Sequence, residues 1–93
     1  MPVIVIYTKD WCGYCNAAKQ LLKQLGYTYD EVDVTHDVAR YQQMRELSGR
    51  STVPQIFIDG NAVGGYTDLF ALVRDKKLLP AAATSGPANQ TDR

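Results

Sequence analysis

Val3-Ile4-Val5-Ile6-Tyr7 leads into Trp11-Cys12-Gly13-Tyr14-Cys15, and Ala18, Leu21, Leu22 and Leu25 follow before Gly26. An apolar, β-branched run without alternation is what a strand buried on both faces of a parallel or mixed sheet requires. The next apolar residues recur at helical spacing, and Gly26 supplies a C-terminal stop. The only two cysteines of the chain therefore fall where a strand hands over to a helix. A helix start presents unpaired N–H groups and the positive end of the dipole, which lower the pKa of the leading thiol. Each unit of lowering favours the anion by about 1.4 kcal/mol.

Working outward, Tyr27 to Val34 reads as a strand, and its apolar positions change parity between Tyr29 and Val32, the mark of a bulge or an edge strand. Strand, helix and strand make a βαβ unit of about 30 residues, with the usual right-handed crossover. A second helix is expected from Asp37 to Ser48, with Tyr41, Met44 and Leu47 on one face and Gly49 ending it. Pro54-Gln55-Ile56-Phe57-Ile58 and Ala62-Val63 flank Asp59-Gly60, a hairpin signal. Thr67-Asp68 opens a third helix carrying Leu69, Leu72 and Val73. From Pro80 the chain loses periodicity, so residues 1–80 are expected to form the domain and 81–93 a flexible tail. The order is β-α-β-α-β-β-α, a sheet covered by helices.

A chain of 93 residues allows one small domain. Its apolar content of 45% suits a globular fold rather than a disordered one. Ten basic and ten acidic residues cancel, so no broad field favours nucleic acid or an acidic membrane. No apolar run approaches the roughly 20 residues that span a bilayer. Met1-Pro2-Val3-Ile4 lacks the basic flank and long apolar stretch of a signal peptide. A reducing, cytoplasmic setting is the expectation, and there a cysteine pair is more often catalytic or metal-binding than structural.

Three short motifs carry chemistry. For Cys12-x-x-Cys15, a closed zinc site needs four ligands, and two cysteines with His36 do not supply them. A structural disulfide across so short a loop restrains almost no chain. Redox chemistry is the leading reading. In Thr52-Val53-Pro54 the proline either simply opens a strand, or forms a cis bond that exposes the Val53 backbone beside the cysteines. Gly64-Gly65-Tyr66-Thr67-Asp68 serves as a turn and helix cap, or else as a site where free N–H groups receive a carboxylate and Asp68 pairs with an ammonium. A carboxylate and an amine side by side describe an α-amino-acid end.

Together, Lys9, Cys12-x-Tyr14-Cys15, Thr52-Val53-Pro54 and Gly64-Gly65-x-x-Asp68 resemble a dithiol glutaredoxin, over residues 1 to about 79. The resemblance implies a thioredoxin-like α/β fold: a central four-stranded mixed sheet flanked by helices, with Pro54 cis. It implies a glutathione-dependent oxidoreductase, active on protein disulfides and glutathionylated proteins, in which Cys12 is the nucleophile and Cys15 resolves. Glutathione as cosubstrate would meet Val53 backbone to backbone, with Thr52 and Pro54 shaping the contact. The Thr67 and Asp68 N–H groups would receive the γ-glutamyl carboxylate, Gly65 would allow close approach, and the Asp68 carboxylate would face the amine. Lys9 would neutralise the glycine carboxylate, and Tyr14 would line the groove.

Two departures stand out. Gly13 replaces the proline most often found between the cysteines, freeing an N–H and loosening the turn. The basic or amide residue that usually assists Lys9 from the second helix falls at Tyr41, which fits that helix's apolar face, with Arg40 adjacent as a substitute contact. His36 is expected in solvent. A monomer without resident metal is the expected state. The alternatives are a thioredoxin-type reductant, since Trp11-Cys12-Gly13 also begins that family's motif, and a homodimer bridged by a 2Fe-2S cluster through Cys12 of each copy and two glutathiones.

Overall fold

The first strand is buried on both faces, and the rest of the molecule is arranged around it. In the computed structural model, which describes residues 1–84, β1 (Ile4–Thr8) pairs in parallel with β2 (Asp30–Asp33) and antiparallel with β3 (Gln55–Ile58). β4 (Asn61–Gly64) completes a four-stranded mixed sheet in the order β2-β1-β3-β4. The helices are α1 (Gly13–Gln24), α2 (Val38–Ser48) and α3 (Tyr66–Arg74), with a single further turn, α4 (Ala81–Thr84). No helix among the described residues is long and apolar enough to cross a membrane.

Strand alternation divides the core into two layers. Ile4, Ile6 and Ile56 point to one face and pack with Ala18 and Leu22 of α1 and Leu69 of α3. Tyr7 and Phe57 point to the other, where Val34, just after β2, and Met44 of α2 pack with them, the two rings edge to face at 5.6 Å. The uninterrupted apolar run of β1 thus serves both layers at once.

β2 is the edge strand its broken parity indicates, and it is short. Asp30, Glu31 and Asp33 are exposed along it, a charged edge that discourages pairing with another chain. The register shift in the sheet lies between Ile56 and Phe57 of the β3–β4 ladder, so the bulge belongs there and not to β2. Tyr27 stays outside β2 because the end of α1 claims it. With Gly26 at φ 85°, the Gly26 N–H bonds to the Lys23 carbonyl at 2.9 Å and the Tyr27 N–H to the Leu22 carbonyl at 3.0 Å. This paired closure brings Tyr27 into the core cluster that also holds Leu22.

Asp37 caps α2 through its side chain, and Gly49 ends the helix at φ 73°. Of the three residues expected on the apolar face of α2, Met44 is buried and Tyr41 half-buried. Leu47, by contrast, is 57% exposed. The last turn of α2 runs past the filled layer and leaves Leu47 on the rim of an apolar groove with Val3 and Phe57. Asp59 and Gly60 both have positive φ, 50° and 81°, as a two-residue hairpin requires. Asp59 also accepts the Val3 N–H at 2.9 Å.

Packing continues past the boundary expected at residue 80. Ala81 is buried against the α1–α3 layer, and its N–H donates to the Leu25 carbonyl at 2.7 Å. The Tyr27 hydroxyl donates to the Leu79 carbonyl. Alanine is small enough to sit against Gly26, a contact that periodicity cannot reveal. The remainder of the expected tail, residues 85–93, lies outside the described residues.

Candidate active site

Cys12 is the N-cap of α1. Its φ and ψ, −112° and 104°, are extended, and its Sγ accepts the Cys15 N–H at 3.0 Å. The helix ladder starts at its carbonyl, which accepts the Asn16 N–H at 3.1 Å. The leading sulfur therefore occupies the position where a serine or aspartate oxygen usually sits, facing a donor and the positive end of the helix dipole. Cys12 and Cys15 are joined as a disulfide. Cys12 is partly exposed, whereas Cys15 is buried, so a bulky partner reaches only the first sulfur. Trp11, just before the pair, is fully exposed and held at φ 58°, a left-handed conformation unusual for a large side chain.

Across from α1 lies the loop before β3. The Val53–Pro54 peptide is cis, and the Val53 carbonyl oxygen lies 3.8 Å from Cys12 Sγ. Tyr14, Thr52, Val53, Pro54, Gly65, Thr67 and Asp68 line one groove of about 350 Å³. Three separate stretches of chain thus meet in one groove, and Val53 ties it to Cys12. The Tyr14 ring stacks on Tyr66 with centroids 6.1 Å apart, extending the groove wall onto α3.

Lys9 is not in this groove. Its Nζ sits 4.4 Å above the ring centroid of Tyr41, a cation–π contact. Tyr41 in turn packs against the α2-side core and donates its hydroxyl to the Ser51 carbonyl at 2.7 Å. It is both a packing residue and the seat of Lys9. Arg40 joins neither; it is exposed, 3.9 Å from Asp37. His36 is exposed as expected.

At the far end of the groove, α3 starts at Tyr66, one residue earlier than the sequence suggests, with Gly65 as N-cap. Glycine has no side chain to cap with, so Asp68 reaches back and accepts the Gly65 N–H at 2.9 Å. The same oxygen accepts Arg50 Nη1 at 2.8 Å. The Arg50 guanidinium first, and the Gly65 N–H second, hold the Asp68 carboxyl below its ordinary 3.8. A Cβ on Gly64, whose φ is 115°, would collide with both Asp68 and Arg50, so glycine is required there. At Gly65 an added Cβ would meet Pro54 only at ordinary contact distance, 3.6 Å.

Sequence reading does not find Arg50 or Gln55. Arg50 reaches its partner across 18 positions, and nothing local distinguishes it from a surface arginine. Gln55 is buried and donates Nε2 to the Thr52 carbonyl at 2.9 Å, bracing the loop that carries Val53. The one available signal was a polar amide inside an otherwise apolar strand.

A Cβ on Gly13 would meet nothing within 4 Å, so packing does not demand glycine there. Among the described residues no three His, Cys, Asp or Glu side chains gather as metal ligands.

The glutaredoxin family model matches residues 4–63. Glutaredoxin 3 of Escherichia coli K12 is 46% identical over 72 residues, covering 77% of this chain and 87% of that protein. A glutaredoxin of Pseudomonas aeruginosa is 44% identical over 78 residues, covering 84% and 93%. Among solved structures, a buckwheat glutaredoxin–glutathione complex superposes with a TM-score of 0.79 at 31% identity, covering 94% of this chain and 82% of that one. The four-stranded sheet is therefore the thioredoxin-like one, and Cys12 and Cys15 are spaced as a Cys-x-x-Cys motif. This chain belongs to the glutaredoxin family and is a thiol–disulfide oxidoreductase.

Proposed function

We propose that the reductant is glutathione and that the chain reduces protein disulfides and protein–glutathione mixed disulfides. The observation that carries this reading is the groove itself. Val53, whose carbonyl lies 3.8 Å from Cys12 Sγ, lines it, and so do Arg50 and Asp68, the charged pair by the start of α3. A tripeptide linked through its sulfur to Cys12 would bring its cysteinyl backbone to Val53 and its γ-glutamyl head to Thr67 and Asp68. The buckwheat relative, described as a glutathione complex, supports the same choice.

In the proposed cycle the Cys12 thiolate attacks the glutathione sulfur of a mixed disulfide. The protein thiolate leaves and takes a proton, and glutathione remains on Cys12. A second glutathione thiolate attacks that bond and releases oxidised glutathione. For a protein disulfide, the Cys15 thiolate displaces the substrate from Cys12, and the resulting Cys12–Cys15 disulfide is reduced by two glutathiones. A sulfur stabilised as thiolate is both an available nucleophile and a good leaving group.

Cys12→Ser should abolish turnover coupled to glutathione and its reductase. Cys15→Ser should keep reduction of glutathionylated protein while losing reduction of protein disulfides. Activity surviving in Cys12→Ser, or turnover supported only by thioredoxin reductase, would overturn the assignment.

A further inference from the structure

We propose that Arg50 is a specificity-determining residue that binds the α-carboxylate of the γ-glutamyl head, making with Asp68 a clamp for a free α-amino-acid end. The inference rests on the glutathione reading above and extends it to a residue outside the motifs that suggested it. Arg50 lines the groove with Thr67 and Asp68. Its backbone is pinned directly after α2: the Arg50 N–H donates to Ser48 Oγ at 3.0 Å, and Ser48 Oγ donates back to the Arg50 carbonyl at 3.2 Å. The side chain crosses to Asp68, and only Nη1 is engaged among the described residues. Nε and Nη2 remain as donors on a side chain that is 51% exposed.

Charge decides what such an end can hold. An α-amino-acid head carries an ammonium and a carboxylate on one carbon. Asp68 alone would attract the first and repel the second. The N–H groups opening α3 offer only the partial charge of a helix terminus, whereas a guanidinium offers a full charge and a planar fork that fits a carboxylate. With both residues held at 2.8 Å, the pair presents opposite charges side by side, the complement of the zwitterion. Gly64 keeps the space for this arrangement open, since a Cβ there would strike both side chains.

The competing role for Arg50 is indirect: to orient Asp68 and nothing more. Ligand analogues separate the two. The pre-reduced protein would be mixed with disulfides of 2-mercaptoethanol and one of four thiols, and single-turnover rate constants read from Trp11 fluorescence. The thiols are glutathione, 4-aminobutanoyl-Cys-Gly (no α-carboxylate), glutaryl-Cys-Gly (no α-amine) and Cys-Gly. We expect Arg50→Gln to lose about tenfold on the glutathione disulfide, the size of one charge-assisted hydrogen bond, and less than twofold on the 4-aminobutanoyl analogue. Arg50→Lys should recover part of the loss. A loss that persists on the 4-aminobutanoyl analogue and vanishes on the glutaryl one would mean that Arg50 acts only through Asp68. No loss on glutathione, or equal losses on all four disulfides, would also overturn the proposal. In each of these cases the glutathione reading stands if the unsubstituted protein still prefers glutathione to Cys-Gly. Absence of that preference would remove both.

Discussion

Tyr41 shows how much a single side chain can be asked to do. Its ring belongs to the α2-side core, its hydroxyl ties the loop before β3, and its outer face seats Lys9. Two substitutions separate these contributions. Tyr41→Phe keeps the ring and deletes the bond to Ser51, so it should cost about 0.5–1.5 kcal/mol in urea unfolding and leave Lys9 in place. Tyr41→Leu also removes the quadrupole under the ammonium, worth about 0.5–1 kcal/mol at an exposed site. If Lys9 serves the glycine carboxylate, only the leucine variant should weaken glutathionyl-substrate binding, by a few fold in KM. At this scale the sequence was legible where chemistry is local. Cys12, Cys15, Pro54 and Asp68 announce themselves by residue type and short spacing. Arg50 and Gln55 do not, because their meaning comes from partners that only the fold brings near.

Periodicity located every main element and erred where an element ends or runs off the core. The α2 helix is the clear case. Its 3.6-residue repeat places Met44 and Leu47 on one face with equal claim, yet the sheet beneath is finite and only Met44 lies over it. Met44→Ala should therefore destabilise by about 2–5 kcal/mol, the usual range for emptying a filled core site. Leu47→Ala should change stability by no more than about 0.5 kcal/mol, as expected of an exposed position. Chemical denaturation of the two variants checks the contrast, and comparable losses would show that α2 sits differently. The short β2 has a similar origin. Backbone closure at the end of α1 takes Tyr27 before the ladder can, and propensity along the chain carries no trace of that competition.

Over the whole molecule, charge is balanced and stability against acid depends on a few sites. The buried Thr8 hydroxyl donates to Glu31 at 2.7 Å, and Lys19 lies 3.0 Å from the same oxygen. The Thr8 bond above all, then Lys19, holds the Glu31 carboxyl below its ordinary 4.5. A native pKa below the unfolded one contributes stability that is fully present above the unfolded value and is lost as pH falls through the native value. Glu31 and Asp68 both have this sign, so the urea midpoint should fall as pH is lowered through their ordinary values of 4.5 and 3.8 and on through the lower native ones. Glu31→Gln should flatten that acid limb, and an unchanged acid limb in the variant would count against the pairing. The paired helix end at Gly26 likewise belongs to the whole, since Ala81 and Leu79 return to bind it and place the end of the described chain behind the helix that carries the cysteines. At the opposite end of that helix the cap is a sulfur. An oxygen cap is chemically inert, whereas in the proposed cycle this sulfur would be in turn thiolate, mixed disulfide and closed pair. The bond that opens α1 is therefore made to an atom that reacts, and its partner Cys15 lies one turn into the same helix.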